Sequence, residues 1–215
     1  MLAINTAFMT ANLGIKLADK QVCREIDAKS KHSENVLKNI DEMCQEVGVD
    51  INEIETLAVV VGPGSFTGLR IGVSIAKALA CVNKNLKLVA MSSLELMAYI
   101  ISQQKICSQP FACVLNGLSG LFFVAEFDKD GKRLCEDKMI TLEQLQTLDY
   151  VKIGLVGDNT QSLTEKQIEF SSEDVLSFAQ RCKLEEKYVE EKDLLPVYLR
   201  LSQAEDNLNL KKMKN

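Results

Sequence analysis

Residues 57–68 read LAVVVGPGSFTG and run on as LRIGVSIAKALA to residue 80. Leu57–Val61 is apolar without a break, as expected of a strand covered on both faces of its sheet. It enters a glycine-rich turn, and the periodicity from Leu69 to Ala80 predicts a helix. Gly68, Gly72 and Ala76 stand four apart on that helix, so one face has almost no side-chain bulk and a neighbour can approach its backbone. Glycine inside a helix costs about 1 kcal/mol relative to alanine, so Gly72 implies a packing reason.

Upstream, Met1–Ile4, Leu13–Leu17 and Val22–Ile26 are short apolar or alternating runs that predict a three-stranded meander. Val36, Leu37, Ile40, Met43, Cys44 and Val47 then form a helical stripe that Gly48 ends. Past the glycine segment, Leu86–Ala90 predicts a strand, and Ser92 or Ser93 with Glu95 can start a helix reaching Gln103. The order is βββαβαβα. A second copy is expected in strands at Phe111–Leu115, Leu121–Phe127 and Arg133–Asp137, with Asp128–Gly131 as the hairpin turn. It continues with a helix at Leu142–Leu148, a strand at Lys152–Val156, a helix at Thr160–Lys166, a strand at Ile168–Phe170 and a helix at Asp174–Glu186. The expected architecture is therefore a duplicated α/β fold with an N-terminal lobe at 1–103, a C-terminal lobe at 104–215 and a frayed tail from about 203.

With 25 Lys and Arg against 30 Asp and Glu, the net charge of -5 repels phosphate backbones and gives no general reason to bind nucleic acid. The 7 cysteines include no close pair with redox or zinc spacing and read as small buried residues of a reducing compartment. No apolar run has the length of a membrane span, and the start has no basic region ahead of an apolar core, so a cytoplasmic protein without membrane contact is expected.

Familiar catalytic patterns fail in detail. A P-loop, G-x-x-x-x-G-K-[S/T], does not fit Gly62 to Gly68, after which Leu69 and Arg70 replace the lysine and hydroxyl. Ser65 and Thr67 lie outside G-x-S-x-G, and the sole histidine, His32, is far upstream, so neither hydroxyl has a base. Thr67 is the expected helix cap, with Ser65 shaping the turn. His32 and Glu34 do not make H-E-x-x-H, and no metal site is expected. Arg70 suits an anchoring role toward a carbonyl or carboxylate. Asn5, Thr6, Asn116 and Asp158 fall at strand ends where ligands commonly bind, and they are the weak candidates for a cofactor site.

GPGSFTGLRIGVSIAKALA at 62–80 closely resembles the signature of the bacterial TsaB (YeaZ) family, whose members assist formation of N6-threonylcarbamoyladenosine (t6A) in tRNA. KHSENVLKNIDEM at 31–43 and LLPVYLRLSQAE at 194–205 resemble two further stretches of that family. The resemblance implies a duplicated ribonuclease H-like, actin-like (Hsp70-like) ATPase fold in the cytoplasm. It implies a non-catalytic accessory subunit that pairs with and activates a TsaD-type transferase acting on adenosine 37 of tRNAs that read codons beginning with adenine. A TsaE-type ATPase is the implied transient third component, tRNA the substrate of the complex, and a homodimer the expected state without the partner. The signature loop comprises Gly62, Pro63, Gly64, Ser65, Phe66, Thr67, Gly68 and Arg70, and the implied partner interface includes His32, Val36, Leu37, Ile40, Leu69, Gly72, Val73 and Ala76. No intrinsic cofactor is expected, with ATP and metal on the partner subunits. Asn5-Thr6 and Asn116-Gly117-Leu118 depart from the family's aspartates at both first-strand ends, which removes the usual Mg²⁺ and phosphate anchors. The alternatives are a weak nucleotide hydrolase, a glycoprotease-like peptidase, or a self-associating structural protein.

Overall fold

The computed structural model describes residues 1–27 and 33–199. A meander of β1 (Leu2–Asn5), β2 (Ala11–Leu17) and β3 (Lys20–Ile26) leads to helix α1 (Ser33–Val47). Next come β4 (Thr56–Gly62), α2 (Phe66–Val82), β5 (Lys87–Ser92) and α3 (Ser93–Gln103). The second half runs β6 (Phe111–Asn116), β7 (Leu121–Phe127), β8 (Lys138–Thr141), α4 (Leu142–Gln146), β9 (Val151–Leu155), β10 (Lys166–Ile168), α5 (Ser172–Leu184) and β11 (Tyr188–Val189).

The two sheets have the orders β11-β5-β4-β1-β2-β3 and β10-β9-β6-β7-β8. In each, the first strand of an antiparallel meander pairs in parallel with the strand that follows the next helix, β1 with β4 and β6 with β9. The unbroken apolar run of β4 is buried along its whole length, with α2 and α1 on one side. Gly72 lies where α2 crosses the sheet: a Cβ there would meet Thr6 Oγ1 at 2.6 Å and Val59 Cγ2 at 3.2 Å. Gly48 ends α1 with φ +78° and its N–H bonded to Cys44 O. Ser92, of the two candidate serines, caps α3 by accepting from the Glu95 N–H.

Three expectations are corrected in the second half. The turn forms where expected, with Asp128 N–H bonded to Lys132 O, but the partner strand of β7 lies at 138–141 instead of 133–137. After a single bridge to Phe127, Arg133 turns aside to pair with Glu95 and Asp137, which takes this stretch out of the ladder. No helix forms over 160–166, where Thr160 O accepts from Leu163 N–H and the Thr164 hydroxyl in successive turns. The following strand sits at Lys166–Ile168, two residues before its expected start.

The chain crosses back after β10. Val175, Leu176, Phe178, Ala179 and Cys182 of α5 pack on Ala3, Ala58, Val60 and Val89, covering the face of the first sheet opposite α1 and α2. Gly14 permits this approach, since a Cβ on it would lie 2.9 Å from Leu176 Cβ. β11 then extends the first sheet beside β5. Helix α3 lies between the lobes, with Leu96 and Ile100 in the first lobe's core and Leu94, Met97, Ala98 and Ile101 in the second's. The expected tail from 203 lies outside the described residues.

Candidate functional site: an interlobe cleft and a groove between helices

The glycine loop joins β4 to α2 against the end of β1. Gly62 takes φ +126°, and a Cβ there would meet Val197 O at 2.8 Å. Gly64 is pressed against Ala7, whose carbonyl would be 2.8 Å from a Cβ and accepts the Ser65 N–H at 2.8 Å. Pro63 is buried between these glycines. Ser65 and not Thr67 caps α2: its hydroxyl accepts from the Gly68 N–H at 3.3 Å, while Thr67 is exposed in the first turn. The reason is register, since the helix begins at Phe66 and the capping position is one residue before it.

The strand-end candidates divide. Asn5 and Thr6 are fully buried and engaged with the chain itself. The Asn5 amide donates to Asn12 Oδ1 and its carbonyl oxygen accepts the Ala7 N–H, both at 3.0 Å, and the Thr6 hydroxyl donates to Gly68 O at 2.6 Å. They lock β1 to β2 and to α2. Asn116 and Asp158 instead border open space. An Asp158 carboxylate oxygen accepts the Asn116 N–H at 2.6 Å, and burial pushes this carboxyl up to about 6 against the opposing effect of that bond.

Between the lobes these loops enclose a cleft of about 950 Å³, walled by residues including Phe8, Phe123 and Phe170 and carrying Asn116 and Asp158 on the second-lobe side. Phe8 and Phe170 meet edge to face across the lobes at 5.3 Å. Among the described residues, no group of three or more His, Cys, Asp and Glu can hold a metal ion.

On the outer side of α2 a second hollow of about 590 Å³ runs between α1 and α2. Leu37, Ile71, Ile75, Ala78 and Leu79 give it an apolar wall, with Ser74 among them and Phe66, Thr67 and Arg70 at one end. Arg70 lies over the Phe66 ring at 3.9 Å, and its Nε donates to the Tyr198 hydroxyl at 3.0 Å.

Most of the expected interface residues lie inward. Val36, Ile40, Leu69, Gly72, Val73 and Ala76 are buried in the chain's own core, and of the described members only Leu37, 44% exposed, reaches the surface. The small-residue stripe is consumed by contact with the sheet, as Gly72 against Thr6 shows. His32 lies outside the described residues. Ile71, Ser74, Ala78 and Leu79, which line the groove, and Tyr198, which accepts from Arg70, were not among the expected residues. The available signal was that α2 is apolar on more than one side, with Arg70 and Lys77 its only charged residues.

The family described as TsaD: tRNA N6-adenosine threonylcarbamoyltransferase matches residues 25–194. The chain belongs to this family. Several curated relatives are TsaB proteins, the kind that residues 62–80 resembled. It is 32% identical over 98 residues to the tRNA threonylcarbamoyladenosine biosynthesis protein TsaB of Haemophilus influenzae, covering 46% of this chain and 41% of that protein. It is 35% identical over 103 residues to the tRNA N6-adenosine threonylcarbamoyltransferase of Syntrophus aciditrophicus, covering 46% and 30%. The matched stretch thus spans less than half the length of these relatives. In three dimensions, the YeaZ structure from Pseudomonas aeruginosa superposes with a TM-score of 0.77 at 19% identity, over 92% of this chain and 98% of that one. The fold is that of the YeaZ structures.

Proposed function

We propose that this TsaB-type chain is a non-catalytic accessory subunit that binds a TsaD-type transferase and holds it in the state competent to form t6A at position 37 of tRNAs reading codons beginning with adenine. The observation that carries this reading is the groove of about 590 Å³ between α1 and α2, an apolar surface built on two rigid helices and suited to a partner helix. The engagement of Asn5, Thr6 and Ser65 in holding the fold fits the same reading, because groups bonded within the chain are not free to act on a substrate. The partner surface is then Leu37, Ile71, Ser74, Ala78 and Leu79, on the same helices as first expected but on their outer side. ATP and metal belong to the transferase and to a TsaE-type ATPase that joins transiently, tRNA is the substrate of the assembly, and the complex works in the cytoplasm. With the partner absent, the groove pairs two copies of this chain.

Threonylcarbamoyl transfer to unmodified tRNA, in a reaction of purified transferase, ATPase and adenylate-forming enzyme, is expected only when this chain is included. Equal transfer without it would refute the accessory role, and nucleotide or peptide hydrolysis by the chain alone would restore the enzymatic alternatives. Ala78→Asp, an exposed substitution that sets a charge in the groove, is expected to abolish pairing while leaving the thermal transition within a few degrees of the original.

A further inference from the structure

Four arginines fall among the described residues, and three of them, Arg24, Arg133 and Arg181, each pair with a glutamate. Arg70 has no carboxylate partner among the described residues, yet it is held firmly. Its guanidinium carbon lies 3.9 Å from the Phe66 ring centroid, its Nε donates to Tyr198 Oη at 3.0 Å, and the Phe66 and Tyr198 rings approach to 4.7 Å. The aromatic stack fixes the plane of the fork and uses one N–H, which leaves the two terminal nitrogens for an acceptor from outside. Among the described residues, Arg70 is also the only ionisable side chain lining the groove between α1 and α2.

We propose that Arg70 is the specificity anchor of this groove, and that its occupant is a protein helix that buries apolar side chains against Ile71, Ala78 and Leu79 and sets an Asp or Glu carboxylate on the Arg70 fork. This rests on the partner-binding reading above and adds the chemistry the partner must carry. Two helices wall the groove, so their main-chain groups are already paired and no strand can be added. An inserted helix is the element that fits. The apolar wall by itself accepts any apolar helix. Arg70 discriminates, because docking strips water from its fork, and a helix without a carboxylate at that point leaves a cation desolvated and unpaired. The fork is already oriented by Phe66 and Tyr198, so little side-chain freedom remains to be lost when the acceptor arrives.

The test is the dissociation constant of the heterodimer with the transferase of the same organism, measured at several salt concentrations, with tRNA binding followed in parallel. Arg70→Met, which keeps an unbranched apolar side chain without the charge, is expected to weaken the heterodimer about tenfold or more and to flatten its salt dependence. Arg70→Lys should recover part of the salt dependence but not the full affinity, since an ammonium cannot form the two-pronged contact. Tyr198→Phe frees Nε and is expected to weaken binding on the order of threefold with the salt slope retained. Should Arg70→Met bind like the original while Ala78→Asp abolishes binding, the groove reading stands and the anchor is refuted. A chain that fails to bind the transferase, or an Ala78→Asp variant that binds unchanged, refutes the partner reading and the anchor with it. If Arg70→Met does not fold, a heterodimer affinity of the original protein that is indifferent to salt overturns the anchor. Loss of tRNA binding with the heterodimer unaffected would assign Arg70 to a phosphate and overturn it equally.

Discussion

Gly72 is where a single atom decides packing. A Cβ at this position would come 2.6 Å from the Thr6 hydroxyl, which is itself tied to Gly68 O and so has little freedom to move. Gly72→Ala is expected to destabilise by about 1–3 kcal/mol in denaturant unfolding. Thr6→Ala combined with it should cost less than the sum of the single changes, because removing the hydroxyl also removes the clash. Asp158 makes a prediction of its own. With burial holding its carboxyl near 6 in the folded chain, the folded state binds its proton more tightly than the unfolded chain does. Its contribution to stability is therefore complete below the unfolded value of about 3.9 and is lost as pH rises through about 6, a loss of roughly 2–3 kcal/mol. In melts of the two proteins side by side, Asp158→Asn should gain on the original over that interval and hold its advantage above it. A constant difference across pH would show that burial does not raise this carboxyl. The sequence placed Asp158 at a strand end, but its elevated affinity for a proton arises only from the lobe that closes around it.

At the scale of elements, α2 has two faces to cover. Its glycine and alanine stripe meets the sheet, and the residues between those positions form the wall of the outer groove. The spacing of Gly68, Gly72 and Ala76 correctly predicts a face of close approach, but spacing does not say whether a sheet of the same chain or a second protein makes it. A covering sheet lies within the chain, so the small-residue face that the sequence reading assigned to a partner is already occupied by the chain itself. The start of α2 separates two hydroxyls a single residue apart. Ser65→Ala is expected to cost about 1 kcal/mol by leaving an N–H of the first turn without its acceptor, whereas Thr67→Ala should fall within about 0.5 kcal/mol of the original. Helix α5 carries Leu176 onto Gly14, and Leu176→Ala is expected to cost about 2–5 kcal/mol, measured by chemical denaturation. The helix expected at 160–166 fails for a related reason: a short polar stretch has no apolar stripe to bury, and local hydroxyl contacts with the Thr160 carbonyl replace helical ones.

Across the whole molecule, the two sheets do not divide the chain into independent halves. The first sheet needs α5 to cover one face and takes β11 as its edge, and both come after the second sheet is complete. Residues 1–103 alone should therefore expose Ala3, Ala58, Val60 and Val89 and bind a hydrophobic dye without a cooperative melt, whereas a chain of residues 1–199 should melt in a single transition. A cooperative melt of the first 103 residues alone would show that α5 is dispensable to that lobe.

The sequence by itself determined the strand and helix order of the first half, the glycine turn into α2, the cap at Ser92 or its neighbour and the family, because each is written in local spacing or in a contiguous string of residues. Tertiary structure alone decided which side of α2 remains outside, that Asn5 and Thr6 are bonded inward, that Tyr198 reaches Arg70, and that α5 returns to the first sheet. Those outcomes depend on residues as much as 164 positions apart in the chain meeting in space, and periodicity measures only what lies within a few turns.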